Sequence, residues 1–174
     1  PVEVAVQEAQ LGTAHALLQA EAFLRGFPGP ILVTQGDTPL LRPETLRALL
    51  ERVEEGAGMA LLIVDLENPT GYGRILRQGE EVLGNVEEKD ATPEVRAIRE
   101  VNAGAYAFDG LLFQALKEVG NENAAREYYL PDLIGIYRKK GRRVVAVKGV
   151  AEEALGVNTR EELARVEGVL LHAL

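Results

Sequence analysis

The 174-residue chain has no cysteine, no serine and no tryptophan, and only one methionine. The missing cysteine excludes disulfides, thiolate metal sites, cysteine nucleophiles and cysteine-ligated iron–sulfur clusters. The missing serine excludes serine-nucleophile chemistry. Its two histidines, His15 and His172, have no HExxH-type spacing and no cysteine partners, so no zinc site is expected. Positive charge is also scarce: 19 Lys and Arg face 27 Asp and Glu, a net charge of −8. That balance works against binding a phosphate backbone, so no nucleic-acid partner is expected. No apolar run approaches the length of a membrane span, and the opening PVEVAVQEA has no basic region leading into a hydrophobic one. Neither a membrane nor a secretory route is expected, and the expected location is cytoplasmic. The composition is that of an ordinary globular protein, 47% apolar and 26% charged. One domain spanning 1–174 is expected, large enough to bury a core without metal or disulfide staples.

Hydrophobic periodicity divides the chain into alternating elements. Val2, Val4 and Val6 alternate with Glu3, Ala5 and Gln7, the period of a strand. From Gly12 to about Arg25 the apolar positions follow helical spacing, with Thr13 as N-cap, until Gly26 and Pro28-Gly29-Pro30 end the run. Ile31-Leu32-Val33 reads as a buried strand, central and parallel in its sheet. Pro43 opens a helix bearing Leu46, Leu49, Leu50 and Val53 on one side. Ala60–Val64 is a second buried strand. The order strand, helix, strand, helix, strand is that of a mostly parallel sheet with helices on its faces. An antiparallel insertion spans about 70–105, with a hairpin turning at Gln78-Gly79-Glu80. Further elements are expected at Ala103–Phe108 (strand), Gly110–Val119 and Tyr128–Lys140 (helices) and Arg143–Lys148 (strand). A last helix begins at Thr159, where Thr159 and Glu162 have capping-box spacing. The fold class is therefore α/β, Rossmann-like, with an antiparallel insertion.

Asp37 stands in Gln35-Gly36-Asp37-Thr38-Pro39, just past a strand end, where open α/β sheets bind ligands. A lone carboxylate there suits Mg²⁺, whose shell is completed by substrate phosphates. Taken alone, the same residues are more commonly ordinary turn chemistry, since Asp can bond its own backbone. Asn158, before the C-terminal helix, offers an amide oxygen to a hard cation or a second cap to the helix. Gly71-Tyr72-Gly73 lets backbone approach a ligand with Tyr72 as a wall, or simply turns into the hairpin. Asn102 can bond a substrate amide or its own backbone. Glu87-Glu88-Lys89-Asp90 can set a carboxylate against sugar hydroxyls, although a solvated charge cluster is the commoner meaning of such a run. Gln7, Gly12 and Thr13 lie near a helix start where a base or phosphate can dock, and they also form a cap and turn.

In order along the chain, these segments resemble the bacterial N-acetylglucosamine-1-phosphate uridylyltransferases. The resemblance is carried by Gln10-Leu11-Gly12-Thr13-Ala14-His15-Ala16, Gly36-Asp37-Thr38-Pro39-Leu40 and Pro69-Thr70-Gly71-Tyr72-Gly73-Arg74-Ile75. It continues through Val86-Glu87-Glu88-Lys89-Asp90, Val101-Asn102-Ala103-Gly104, Glu127-Tyr128-Tyr129-Leu130-Pro131-Asp132 and Gly156-Val157-Asn158-Thr159-Arg160. It implies a sugar nucleotidyltransferase that joins N-acetylglucosamine 1-phosphate to UTP, giving UDP-N-acetylglucosamine and pyrophosphate. It further implies that Gln7, Gly12 and Thr13 contact uracil, that Asp37 and Asn158 hold Mg²⁺, and that Gly73, Glu87 and Asn102 bind the sugar. Gln35 and Gly36 complete the substrate-binding set.

The sequence also departs from that family. The usual opening, L-A-A-G-x-G-T-R-M followed by a Pro-Lys pair, does not occur, so the chain is expected to be the later part of a longer enzyme. The hexapeptide β-helix of bifunctional members does not occur in it either. Gln35 stands where an aromatic residue is common, and Ala103 where threonine is common. A non-catalytic nucleotide-sugar-binding module and a transferase for another sugar phosphate remain alternatives.

Overall fold

The computed structural model describes residues 1–173. Its centre is β2 (Met59–Asp65), whose residues are fully buried from Met59 to Val64. The alternation of a strand sends Met59, Leu61 and Ile63 into one apolar core and Ala60, Leu62 and Val64 into another. Both faces are covered, which is why the segment reads as an unbroken apolar run. β5 (Glu100–Phe108) repeats the device: Tyr106 and Phe108 join the first core, Val101, Ala103, Ala105 and Ala107 the second.

The six strands lie in the order β1-β5-β2-β6-β4-β3, with β1 at Ile31–Val33, β3 at Arg74–Gln78, β4 at Glu81–Val86 and β6 at Val144–Lys148. β2 and β6 pair in parallel, whereas β5 runs antiparallel to both β1 and β2. Strands β1, β2 and β6 thus share one direction with β5 inserted between β1 and β2. The α/β class stands, but the sheet is mixed rather than mostly parallel: among the described residues β2–β6 is the one parallel pairing, because β5 and the β3–β4 hairpin run against their neighbours. The hairpin of β3 and β4 forms as expected and returns to β5 at Arg74↔Val101.

α1 (Thr13–Leu18), α5 (Leu112–Leu116) and α6 (Leu133–Lys139) cover the first face. α3 (Pro43–Glu54) covers the second through Leu49 and Val53. Its first turn is secured from a distance. The buried Glu153 carboxylate accepts from the Arg42 backbone N–H at 3.2 Å and the Thr45 hydroxyl at 3.1 Å. Two short helices, α2 (Glu21–Leu24) and α4 (Pro93–Arg96), and the C-terminal α7 (Arg160–Ala173) complete the set. The capping box forms in full: Glu162 N–H donates to Thr159 Oγ1 at 3.1 Å and Thr159 N–H to Glu162 Oε2 at 2.8 Å. No helix among the described residues is long and apolar enough to cross a membrane.

Several sequence expectations change. The helix expected from Gly12 to about Arg25 is two short ones, α1 and α2, and Thr13 is the first residue of α1 with Gly12 at the cap position. Residues 2–6 form no strand. Among the described residues no strand pairs with them, and Val2, Val4 and Val6 are 92%, 76% and 71% exposed. β1 is neither central nor parallel: it is an edge strand paired antiparallel with β5, as Leu32↔Ala107 shows. Three apolar residues carry no information about which flank has a neighbour. The helix expected over Tyr128–Lys140 becomes a 3₁₀ turn at Leu130–Asp132 followed by α6. Tyr128 instead spends its backbone groups on the entry to α1, donating to Leu11 O at 2.8 Å and accepting from Ala14 N–H at 2.9 Å.

Candidate active site

The loop after β1 carries Gln35, Gly36 and Asp37, and the segment before α7 carries Gly156 to Asn158. The two are joined by one main-chain bond, from Val157 N–H to Asp37 O at 2.9 Å. The Asp37 and Asn158 side chains are both exposed. Asn158 lines a small cleft of about 130 Å³ with Tyr72 and Glu162. A carboxylate and an amide oxygen are the hard donors Mg²⁺ takes, and two protein oxygens leave room for phosphate and water. The donor set therefore fits the ion.

Tyr72 is the partition. Its hydroxyl donates to Ala154 O at 3.0 Å, and its ring lines both the small cleft and a larger neighbour of about 270 Å³. Burial, then the charges of Glu162 and Asp37, push its phenol above the ordinary value. The larger cleft gathers Thr13, Gln35, Gly73, Glu87 and Asn102 from five separate segments. It lies on the face of β5 that carries Asn102, Gly104 and Tyr106, at the rim of the first core. Asn102 bonds its own strand, as one of the two sequence readings allowed: its Oδ1 accepts from Gly104 N–H at 2.9 Å.

The acidic run 87–90 departs from a purely solvated cluster. Glu87 lines the cleft and accepts from Asn85 Nδ2 at 2.9 Å. Glu88 pairs with Arg74 Nη1 at 2.7 Å, and Arg74 is 2% exposed. Glu127 also lines the cleft. The Asp132 carboxyl is raised above its usual range by burial and by the charges of Glu87 and Asp90. A cleft walled by carboxylates suits a hydroxyl-rich neutral group, leaving phosphates to the Asp37 side.

Gln7 and Gly12 line neither cleft, but they are tied to each other and to Thr13's helix. Gln7 Nε2 donates to Gly12 O at 3.1 Å and lies 2.8 Å from His15 Nδ1. Thr13 Oγ1 accepts from Leu130 N–H at 2.8 Å, anchoring that helix start to the rim of the cleft. Gly36 lies between Gln35 and Asp37 with open space where a side chain would project. A roomier cavity, about 620 Å³ between Pro39–Pro43 and α7, contains none of the candidate residues.

Residues 1–152 match the nucleotidyl transferase family. The chain belongs to that family. Its nucleotidyl transferase relatives include a bifunctional protein GlmU of Thermus thermophilus, 84% identical over all 174 residues of this chain and 38% of that protein. The bifunctional protein GlmU of Syntrophotalea carbinolica is 50% identical, over 98% of this chain and 37% of that protein. The chain thus spans little more than a third of the length of these relatives. A solved UDP-glucose pyrophosphorylase, complexed with UDP-glucose, superposes with a TM-score of 0.68 over 97% of this chain and 65% of that one. At 17% identity that likeness is one of fold.

Two residues of this nucleotidyl transferase chain escaped sequence reasoning. Tyr106 enters the cleft wall, and the period-two spacing Asn102, Gly104, Tyr106 on one strand would have found it. Arg74, the first residue of β3, is buried, donating to Tyr72 O and, at 3.3 and 3.1 Å, to Arg96 O. Nothing in its local sequence separates it from the exposed Arg77.

Proposed function

We propose that the chain carries the uracil, sugar and metal contacts of a cytoplasmic uridylyltransferase. The reaction joins UTP and N-acetylglucosamine 1-phosphate into UDP-N-acetylglucosamine and pyrophosphate. A phosphate oxygen of the sugar phosphate attacks the α-phosphorus of UTP. The bond from that phosphorus to the bridging oxygen of the β-phosphate breaks, and pyrophosphate leaves with the electron pair. Such a transfer needs positioning and charge neutralisation rather than a covalent nucleophile, so the absence of serine and cysteine is no obstacle.

Gln7, Gly12 and Thr13 hold the uracil side. Glu87 accepts from sugar hydroxyls, while Gly73 and Asn102 bind the N-acetylglucosamine. Gln35 and Gly36 line the passage to Asp37. Asp37 and Asn158 would hold Mg²⁺, which when bound supplies positive charge to the phosphates.

One observation carries the reading: five candidate residues from separate segments line a single cleft, one tyrosine ring away from the Asn158 cleft. The likeness to the two bifunctional GlmU proteins supports it. Calorimetric titration of the full-length protein with UDP-N-acetylglucosamine, with and without Mg²⁺, tests it. Metal-dependent binding is expected; a folded sample that binds in neither condition overturns the reading.

A further inference from the structure

β5 does not run evenly beside β2. Leu61 faces Tyr106 and Ile63 faces Asn102, so the single residue Leu62 stands opposite Ala103, Gly104 and Ala105. The extra residues bulge out of the ladder at Gly104, whose φ of +79° is one that L side chains rarely adopt. The bulge shortens the strand locally and brings residue 102 back toward residue 106. Asn102 Nδ2 then donates to Tyr106 Oη at 2.8 Å, while Asn102 Oδ1 accepts from Gly104 N–H at 2.9 Å. The assignment of the amide is forced: Gly104 N–H can only donate, so the oxygen must face it and the nitrogen must face the phenol. Tyr106 itself cannot wander. It is 2% exposed and its ring stacks on Phe108 with centroids 5.8 Å apart.

We propose that Tyr106 is a positioning residue for recognition of the substrate's acylamino group. Its hydroxyl, brought within reach by the Gly104 bulge, locks the Asn102 amide in one orientation. An amide has two N–H donors and two acceptor lone pairs. With one of each used inside β5, Asn102 presents one donor and one acceptor to the cleft it lines. That pair is complementary to a secondary amide, which offers a carbonyl and an N–H. Without the phenol the amide is tethered only through its oxygen, by the Gly104 N–H, and its nitrogen can swing about that single contact. The cleft then loses its fixed donor–acceptor pair and its reason to prefer an acylamino sugar to a plain hexose. This inference rests on the sugar assignment made above for Asn102.

Steady-state kinetics of the full-length protein with Tyr106→Phe, Asn102→Ala and the double variant test it. Tyr106→Phe keeps the stacked ring and removes one hydrogen bond. It is expected to raise KM for N-acetylglucosamine 1-phosphate by about 5- to 10-fold, with KM for UTP within about twofold. It is also expected to narrow the preference over glucose 1-phosphate. In the Asn102→Ala background the same change should add nothing, because Tyr106 acts through Asn102. Tyr106→Met, which fills similar volume without a hydroxyl, should give the same shift. A rise in sugar KM with Asn102→Ala but not with Tyr106→Phe overturns the positioning role. So does an equal rise for both substrates, a shift with Met alone, or additive effects. If Asn102→Ala leaves the sugar KM unchanged, the sugar assignment itself fails.

Discussion

Val157 donates its backbone N–H to the carbonyl of Asp37 at 2.9 Å, so the loop after β1 and the turn before α7 meet through the main chain alone. The Asp37 carboxylate is left exposed and takes no part in that joint. A residue whose side chain contributes nothing to the fold can be removed without unfolding it. Asp37→Ala is therefore expected to shift Tm by less than about 2 °C, as for an ordinary surface substitution. Mg²⁺-dependent turnover should fall at least about 100-fold, the scale of losing a charge-stabilising group at a reacting centre. Thermal melting beside a pyrophosphate-release assay checks both halves. Near-normal turnover would remove Asp37 from the metal site.

The opposite separation is expected at Arg74, which is 2% exposed, donates to the carbonyls of Tyr72 and Arg96 and forms an ion pair with Glu88. Removing Arg74 leaves the Tyr72 and Arg96 carbonyls without its donors and the half-buried Glu88 without its partner, at a cost of about 3 kcal/mol. Arg74→Met should lower Tm by roughly 10 °C, given about 2–4 °C per kcal/mol in a chain of this size. Arg74→Met combined with Glu88→Gln should recover part of the loss. A single variant as stable as the parent would mean that the Arg74 network is not what holds the hairpin to α4.

Much of the fold was readable because burial writes a period. β2 is buried on both faces and shows an unbroken apolar run, while the helix from Pro43 shows its stripe and its proline at the first turn. Neighbour relations were not readable in the same way. β1 has the composition of a buried strand but lies at an edge, because a three-residue run does not say which strand lies beside it. The valines at 2, 4 and 6 alternate without a partner. Within the site, Asn102 and Glu87 were reached through the family resemblance, since residue type alone left each with a plain structural reading. Tyr106 shares the strand face of Asn102 by simple period, but its bond to Asn102 was hidden, because that depends on a bulge set by pairing with β2, a segment about 40 residues away. Arg74 was hidden for a similar reason: its burial comes from residues 88–96, which fold back over it.

Acid sensitivity should have an identifiable source in Glu100. Bonds from Arg77 at 2.6 and 2.8 Å, with Lys148 at 3.2 Å, hold its carboxyl down at about 2. A carboxyl depressed in the folded state contributes stability that is present above its unfolded value and lost as pH falls through the folded one. The window is therefore from about 4.5 down to about 2. The contribution is at most about 3 kcal/mol, and less once solvent screening is allowed for. Glu100→Gln should lower Tm at pH 7 and flatten the fall in stability across that window. Melting curves from pH 7 to pH 3 read it directly. Parallel curves for variant and parent would show that another carboxylate governs the acid limb.

Gly12 and Gly36 stand together as candidate substrate contacts, but the backbone separates them. Gly12 has φ +115°, and a Cβ there would come within 2.6 Å of the Tyr128 carbonyl oxygen and 2.8 Å of its nitrogen. Those are the atoms that bond Leu11 and Ala14, so any side chain pries apart the joint that seats α1. Gly12→Ala is expected to cost about 2 kcal/mol or more from the strained backbone alone, lowering Tm by roughly 4–8 °C. Gly36 has no atom within 4 Å of the position a Cβ would take, and its φ lies outside the left-handed range. Gly36→Ala should leave Tm within about 2 °C of the parent. Any loss of turnover in that variant then reports the approach of a ligand to the backbone beside Asp37 rather than damage to the fold. If Gly36→Ala is both stable and fully active, substrate does not come close at that position, and the passage to Asp37 must be lined by Gln35 alone.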